Sequence, residues 1–240
     1  MKDIPDFAYP MPSPAPWFQG RGHEILLLRE SLAMRRMRGA VLVGPAGSGK
    51  TELARAAAAR CPGWAFYEMS VAGSVSGMRY VGDFERRMGE FLKLVCKPKT
   101  CLYVDEAHTI VGAGARSDGC DLDLANILKP YLSSGRLTLW CSTTDREYPR
   151  IASDPALARR LGDPIWVAPL GGVDALRALK AFCDGGVPDA MLPEILGRAG
   201  TLERALASAD RMMARASITH AKIDEDMLGD VLPPRKDPII

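Results

Sequence analysis

The sequence has no apolar run approaching the roughly 18 residues that a membrane span needs. Its opening, MKDIPDFAYP, places acids and prolines where a secretory leader carries an apolar core. Both absences point to a cytoplasmic protein with no membrane partner. Charge of one sign is lacking too: 31 Lys and Arg against 29 Asp and Glu leave a formal +2. That balance argues against a polybasic nucleic-acid coat. There is no helix-turn-helix, no zinc module and no extended basic stripe, and Arg35, Arg36 and Arg38 are the one basic cluster. Of six cysteines none forms CxxC and none is followed by His at zinc spacing, so buried free thiols in a reducing compartment are expected. No internal repeat is visible, and the one biased tract is residues 1–19, with five prolines that forbid a helix.

What is present is ordinary globular material, 47% hydrophobic and 25% charged over 240 residues, enough for one medium domain or a core with a small satellite. After the proline-rich lead (1–19), the stretch from 20 to 170 alternates strands and helices. Strands are expected at 40–43, 64–70, 100–106, 136–143 and 164–170. Helices are expected over 23–37, opened by Gly20-Arg21-Gly22, over 50–60, over 84–95 with Asp83 as N-cap, and over 121–132. Such alternation predicts a parallel sheet of five strands with helices on both faces. From 171 to 232 strand patterns give way to alanine-rich helices at 173–183, 188–198, 201–217 and 223–231. This small all-α part is followed by a loose tail, 233–240.

Two motifs carry chemistry. Residues 44–51, Gly44-Pro45-Ala46-Gly47-Ser48-Gly49-Lys50-Thr51, match GxxxxGK[ST] between an expected strand and helix. The glycines let the backbone turn so that successive N–H groups face phosphate oxygens, and the following helix N-terminus adds positive potential. Lys50 supplies a point charge to the β- and γ-phosphates, and Thr51 offers a hydroxyl to Mg²⁺. The second motif is LYVDEAH (102–108). An apolar strand delivers Asp105 and Glu106 to its C-terminal end, where ligands of open α/β sheets bind. Asp105 suits Mg²⁺, and Glu106 suits a general base on the attacking water. The acid pair favours hydrolysis of ATP over its storage.

From Gly20 to Val167 the chain resembles an AAA+ ATPase, specifically the first ATPase module of Clp-type protein unfoldases and disaggregases. The resemblance rests on GRGHEI (20–25), GPAGSGKT (44–51), GMRYVGDFERRM (77–88), the stretch 103–135 with VGAG followed by NILKP, STTDREY (142–148) against a family pattern A-T-T-x-x-E-Y, and DPALARRL (154–161). It implies an AAA+ P-loop core with a helical lid over 171–232. It further implies that Phe18 and Gln19 touch adenine, that Thr144 senses the γ-phosphate, and that Arg159 and Arg160 reach a neighbouring subunit's ATP. Tyr80 becomes a pore-loop aromatic that grips polypeptide, and the glycine-rich stretch 112–119 a second pore loop. Arg204 takes the place of a lysine near the nucleotide. Pro149 and Leu161 stand where the family usually has other residues. The implied partners are a homo-hexamer and a protein substrate or adaptor, with Trp17 and Phe18 as anchors or as packing on the adenine pocket. The implied function is ATP-driven remodelling of proteins; a single-module helper acting on nucleic acid is the alternative from a different class.

Overall fold

The structure, a computed structural model, describes residues 4–35, 38–75, 81–111 and 124–232, with the side chains of 75 and 81–83 excepted. Tyr80, the 112–119 stretch and the 233–240 tail lie outside the described residues. The chain divides into two compact units. The larger takes the described residues of 1–14, 21–46 and 50–167, and the smaller takes 15–20, 47–49 and the described residues from 168 onward.

The larger unit holds strands β1 (Ala8–Pro10), β2 (Gly39–Val43), β3 (Ala65–Met69), β4 (Thr100–Val104), β5 (Thr138–Thr143) and β6 (Ile165–Trp166). Its helices are α1 (Gly22–Ala33), α2 (Lys50–Ala59), α3 (Val71–Val75), α4 (Val81–Val95), α5 (Leu124–Ser133), α6 (Tyr148–Ala152) and α7 (Pro155–Leu161). The sheet order is β1-β3-β4-β5-β2-β6. Strands β2, β4 and β5 are buried at every position, as continuous apolar strands between two helical layers must be.

Five parallel strands were expected, and β2 to β6 pair in parallel. The sixth strand, β1, is antiparallel on β3, with Ala8 opposite Met69 and Pro10 opposite Tyr67. Proline is tolerated there because the strand lies at the sheet edge. Phe7 plugs the core against Phe91, ring centroids 5.1 Å apart, and the Tyr9 hydroxyl donates to Glu68 Oε1 at 2.7 Å. The segment expected as a strand over 164–170 narrows to the two residues of β6. Helix α4 begins at Val81, so Asp83 lies inside its first turn and is not its cap.

Helical spacing explains which faces are covered. Helix α1 buries Ile25, Leu28, Ser31 and Leu32, and α4 buries Phe84, Met88, Phe91, Leu92 and Val95. Each such large apolar side chain contributes roughly 1.5–3 kcal/mol on burial. Polar tips inside are paired: Trp140 Nε1 on β5 donates to Ser31 Oγ at 2.8 Å, and that hydroxyl donates to the Leu28 carbonyl at 2.7 Å. The four buried cysteines among the described residues, Cys61, Cys101, Cys141 and Cys183, are free thiols.

The smaller unit is helical: α8 (Gly172–Cys183), a 3-10 turn at Asp189–Met191, α9 (Leu192–Ala199), α10 (Leu202–Thr219) and α11 (Glu225–Val231). The single helix expected over 188–198 is split because Pro193 sits in the first turn of α9, where a missing N–H costs nothing. Gly200, at φ 75°, closes α9, and the Thr201 and Asp224 side chains cap α10 and α11. Leu179, Ile195, Ala205, Ala209, Met212 and Leu228 form its core.

Candidate nucleotide site

The phosphate loop leaves β2 at Val43 and becomes α2 at Lys50. Gly47 and Gly49 have φ of 72° and 86°, left-handed values that glycine adopts without strain. Lys50 Nζ donates to the carbonyls of Gly44 and Pro45, each at 2.9 Å. Burial pushes the Lys50 ammonium below its ordinary value, against the opposing pull of Asp105, Glu106, Asp145 and Glu147. The lysine therefore stands in an acidic, partly desolvated corner, where a point charge acts most strongly on a phosphate.

Asp105 follows directly after β4. Its Oδ2 accepts from Thr51 Oγ1 at 2.6 Å, and its Oδ1 accepts from the Glu106 N–H at 3.0 Å and from Ser142 Oγ. The hydroxyl of Tyr103, on β4, lies 2.9 Å from Ser142 Oγ. A carboxylate and a hydroxyl this close are hard oxygen donors of the type Mg²⁺ takes. Thr51 gives its proton to Asp105, so its oxygen lone pairs stay open to a cation, and the residues fit the metal expected of them.

Glu106 is held with φ 53° and ψ 44°, a left-handed backbone for a non-glycine. Its side chain is 67% exposed. The Thr109 hydroxyl donates to its carbonyl at 2.7 Å and steadies the turn. His108 Nε2 is 3.7 Å from Glu106 Oε2, and His108 Nδ1 is 3.2 Å from Glu147 Oε2. The same Glu147 oxygen accepts from Thr144 Oγ1 at 2.6 Å, and this bond leads the causes that hold the Glu147 carboxyl below its ordinary range. One ligand atom each of Glu106, His108 and Glu147 falls within 4.8 Å of the others; the Thr144 bond and the imidazole account for the grouping as a polar network.

Lys50, Thr51, Asp105, Glu106 and Thr144 are thus brought together at the C-terminal ends of β2, β4 and β5. The two arginines are placed apart from them, on α7. Asp154 caps this helix, accepting from the Ala156 and Leu157 N–H groups at 3.1 Å each, and pairs with Lys129 at 2.6 Å. Arg160 donates to Ser133 Oγ at 3.0 Å. Arg159 is exposed, and its side chain has no hydrogen bond or ion pair among the described residues. Pro149 sits in the first turn of α6, and Leu161 is buried in the core, which explains both departures by local structure.

In the smaller unit Trp17 meets Phe182 edge-on, centroids 5.9 Å apart, so it packs locally. Phe18 is half-buried, its N–H donating to the Ala15 carbonyl at 3.0 Å. Gln19 lines a shallow cavity of about 570 Å³ with Arg177, Lys180, Asp184 and Asp189. Arg204 is exposed in the first turn of α10. Sequence reasoning assigned no role to Tyr103, Ser142, His108 or Glu147. His108 and Glu147 stood inside the quoted motifs, and their paired spacing from Glu106 and Thr144 was the available signal.

Residues 40–167 match the family described as ATPase family associated with various cellular activities (AAA). The chain is 37% identical over 153 residues to the chaperone protein ClpB of Mycoplasma pneumoniae, covering 59% of this chain and 21% of that protein. It is 38% identical over 152 residues to the ClpE ATP-binding subunit of an ATP-dependent Clp protease of Streptococcus pneumoniae, covering 59% and 20%. A closed-state reconstruction of Hsp104 with ATPγS and FITC-casein superposes with a TM-score of 0.78 at 26% identity, covering 94% of this chain and 44% of that one. The chain thus spans about a fifth of the length of the curated relatives it matches. With its phosphate loop, its Thr51–Asp105 pair and more than half its length matched, the chain belongs to the AAA family of ATPases.

Proposed function

We propose that this chain hydrolyses ATP and couples the reaction to remodelling of protein substrates, as a Clp-like motor module working in a cytoplasmic homo-hexamer. The observation that carries the proposal is the convergence of Lys50, the Thr51–Asp105 pair, Glu106 and Thr144 at the ends of the adjacent strands β4, β5 and β2. The relatives support the remodelling half: their names describe a chaperone, a protease subunit and a casein complex. The nucleic-acid alternative gains no support from them. Residues 20–170 serve as the hydrolytic core and 171–232 as the lid, with Phe18, Gln19 and Arg204 at the base and ribose.

Hydrolysis here is positioning and charge stabilisation. The N–H groups of residues 46–49 and the Lys50 ammonium receive the phosphates once Lys50 exchanges its two carbonyl partners for phosphate oxygens. Thr51 and Asp105 would hold Mg²⁺, which neutralises phosphate charge when bound. Thr144 turns its hydroxyl from Glu147 to the γ-phosphate. Glu106, whose side chain is exposed, accepts a proton from the attacking water. Arg159, unpaired and exposed, completes a neighbouring protomer's site, a contribution of about 10³–10⁵ in rate where such arginines are understood. Tyr80 grips the extended substrate by aromatic contact area.

The test uses one unfolded protein substrate, casein, and two variants. Glu106→Gln is expected to bind ATP without turnover and to retain casein on a stable ring. Tyr80→Ala is expected to hydrolyse ATP at the wild-type rate and to lose remodelling. Normal remodelling by Tyr80→Ala, or normal turnover by Glu106→Gln, would overturn the corresponding assignment.

A further inference from the structure

We propose that Tyr103 and Ser142 form a two-hydroxyl positioning relay behind Asp105, setting the cation affinity of the nucleotide site; the inference rests on the Mg²⁺ assignment above. Strand register creates the relay. Tyr103 pairs with Trp140 and Val104 with Cys141, so the next step brings Asp105 opposite Ser142. With side chains alternating across a strand, Tyr103, Asp105, Trp140 and Ser142 share one face of the sheet. Thr51 reaches the same carboxylate from α2.

The proton directions follow from chemistry. An ionised carboxylate accepts and cannot donate. Thr51 and Ser142 each carry one hydroxyl proton, and both give it to Asp105. The 2.9 Å contact between Tyr103 and Ser142 therefore has Tyr103 as donor. Both hydroxyls are fully buried; the bond between them is buried, and the bond from Ser142 to the half-buried Asp105 is partly so. The result is a one-way chain, Tyr103 to Ser142 to Asp105, which polarises each bond in turn. It holds Oδ1 on the protein side and fixes the rotation of the carboxylate.

Partners that orient a metal ligand are commonly worth about 10–100-fold in metal affinity. Ser142 touches the carboxylate itself, so its loss belongs in that range. Tyr103 acts through Ser142, so its loss belongs near the lower end or below it. Neither residue touches the reacting atoms; both are positioning residues.

The experiment titrates Mg²⁺ against binding of a fluorescent ATP analogue by the full chain, with a parallel series in EDTA. Ser142→Ala is expected to raise half-saturating Mg²⁺ about tenfold or more, and Tyr103→Phe in the same direction by less. Affinity in EDTA should be unchanged in both. The double variant should be no worse than Ser142→Ala in Mg²⁺, because Tyr103 acts on the carboxylate through Ser142. Wild-type Mg²⁺ dependence in both single variants would overturn the relay while leaving the site intact. Wild-type binding that ignores Mg²⁺ would remove the cation site and the relay with it.

Discussion

Gly39 is the place where one methyl group tests the link between packing and turnover. A Cβ there would stand 2.6 Å from the Arg160 carbonyl oxygen, 3.2 Å from Leu161 Cα and 3.3 Å from the Arg160 carbonyl carbon. All three are backbone atoms at the end of α7, so no rotamer change relieves the clash. Strand β2 is paired on both sides, to β5 and β6, and cannot slide. The last turn of α7 must therefore retreat, by about 0.8 Å to reach ordinary contact. Overpacking of this kind costs about 1–3 kcal/mol, or several degrees of melting temperature. The retreating turn carries Arg159, and a displacement of about 1 Å at a reacting geometry can cost about 10²-fold in rate. Gly39→Ala is therefore expected to lower ATP turnover of the assembled protein by about 10–100-fold at saturating nucleotide, while nucleotide affinity stays within about twofold. The assay is steady-state phosphate release per folded protomer beside equilibrium nucleotide binding. Gly89→Ala is the control: nothing lies within 4 Å of its added Cβ, and an interior helix alanine is worth about 0.5–1 kcal/mol over glycine. Turnover of Gly39→Ala within twofold of wild type would break the chain of reasoning from β2 through α7 to the arginine.

The two arginines should separate by the same pair of measurements. Arg159→Ala should leave stability within about 0.5 kcal/mol and cut turnover about 10³-fold or more, whereas Arg160→Ala should chiefly lower the melting temperature through its lost bond to Ser133; the reverse pattern would exchange their roles. Asp154→Ala should cost about 0.5–2 kcal/mol at neutral pH through the lost helix cap. Burial alone would push this carboxyl up, but Lys129 and the capped N–H groups outweigh it and hold the group below its ordinary value. Its contribution is therefore present above the unfolded-state value and fades as pH falls through the lower folded value. Urea unfolding in steps from pH 7 toward about pH 3, spanning the ordinary Asp value near 3.9, should show wild type and variant converging at the acid end. A constant gap would disprove the linkage.

The parts of this site that were legible in the sequence are those in which neighbours in the chain do one task together. A phosphate loop must turn within eight residues, so its glycines, Lys50 and Thr51 are adjacent letters. An acid pair must leave a buried strand, so Asp105 and Glu106 follow an apolar run. Strand β1 was hidden because its partner Met69 lies 61 positions from Ala8, and a three-residue strand inside a proline-rich tract has no periodicity to detect. The relay was hidden for a related reason. Tyr103 reads as one more aromatic in a core strand, and Ser142 as a substitution in a motif. They gain meaning from the register of β4 on β5, which places Ser142 opposite Asp105. Ser142 then donates to the Asp105 carboxylate, and that bond leaves Tyr103 to donate to Ser142. The phosphate cradle is therefore written along the chain, whereas the fine setting of its metal-facing carboxylate is written across the sheet.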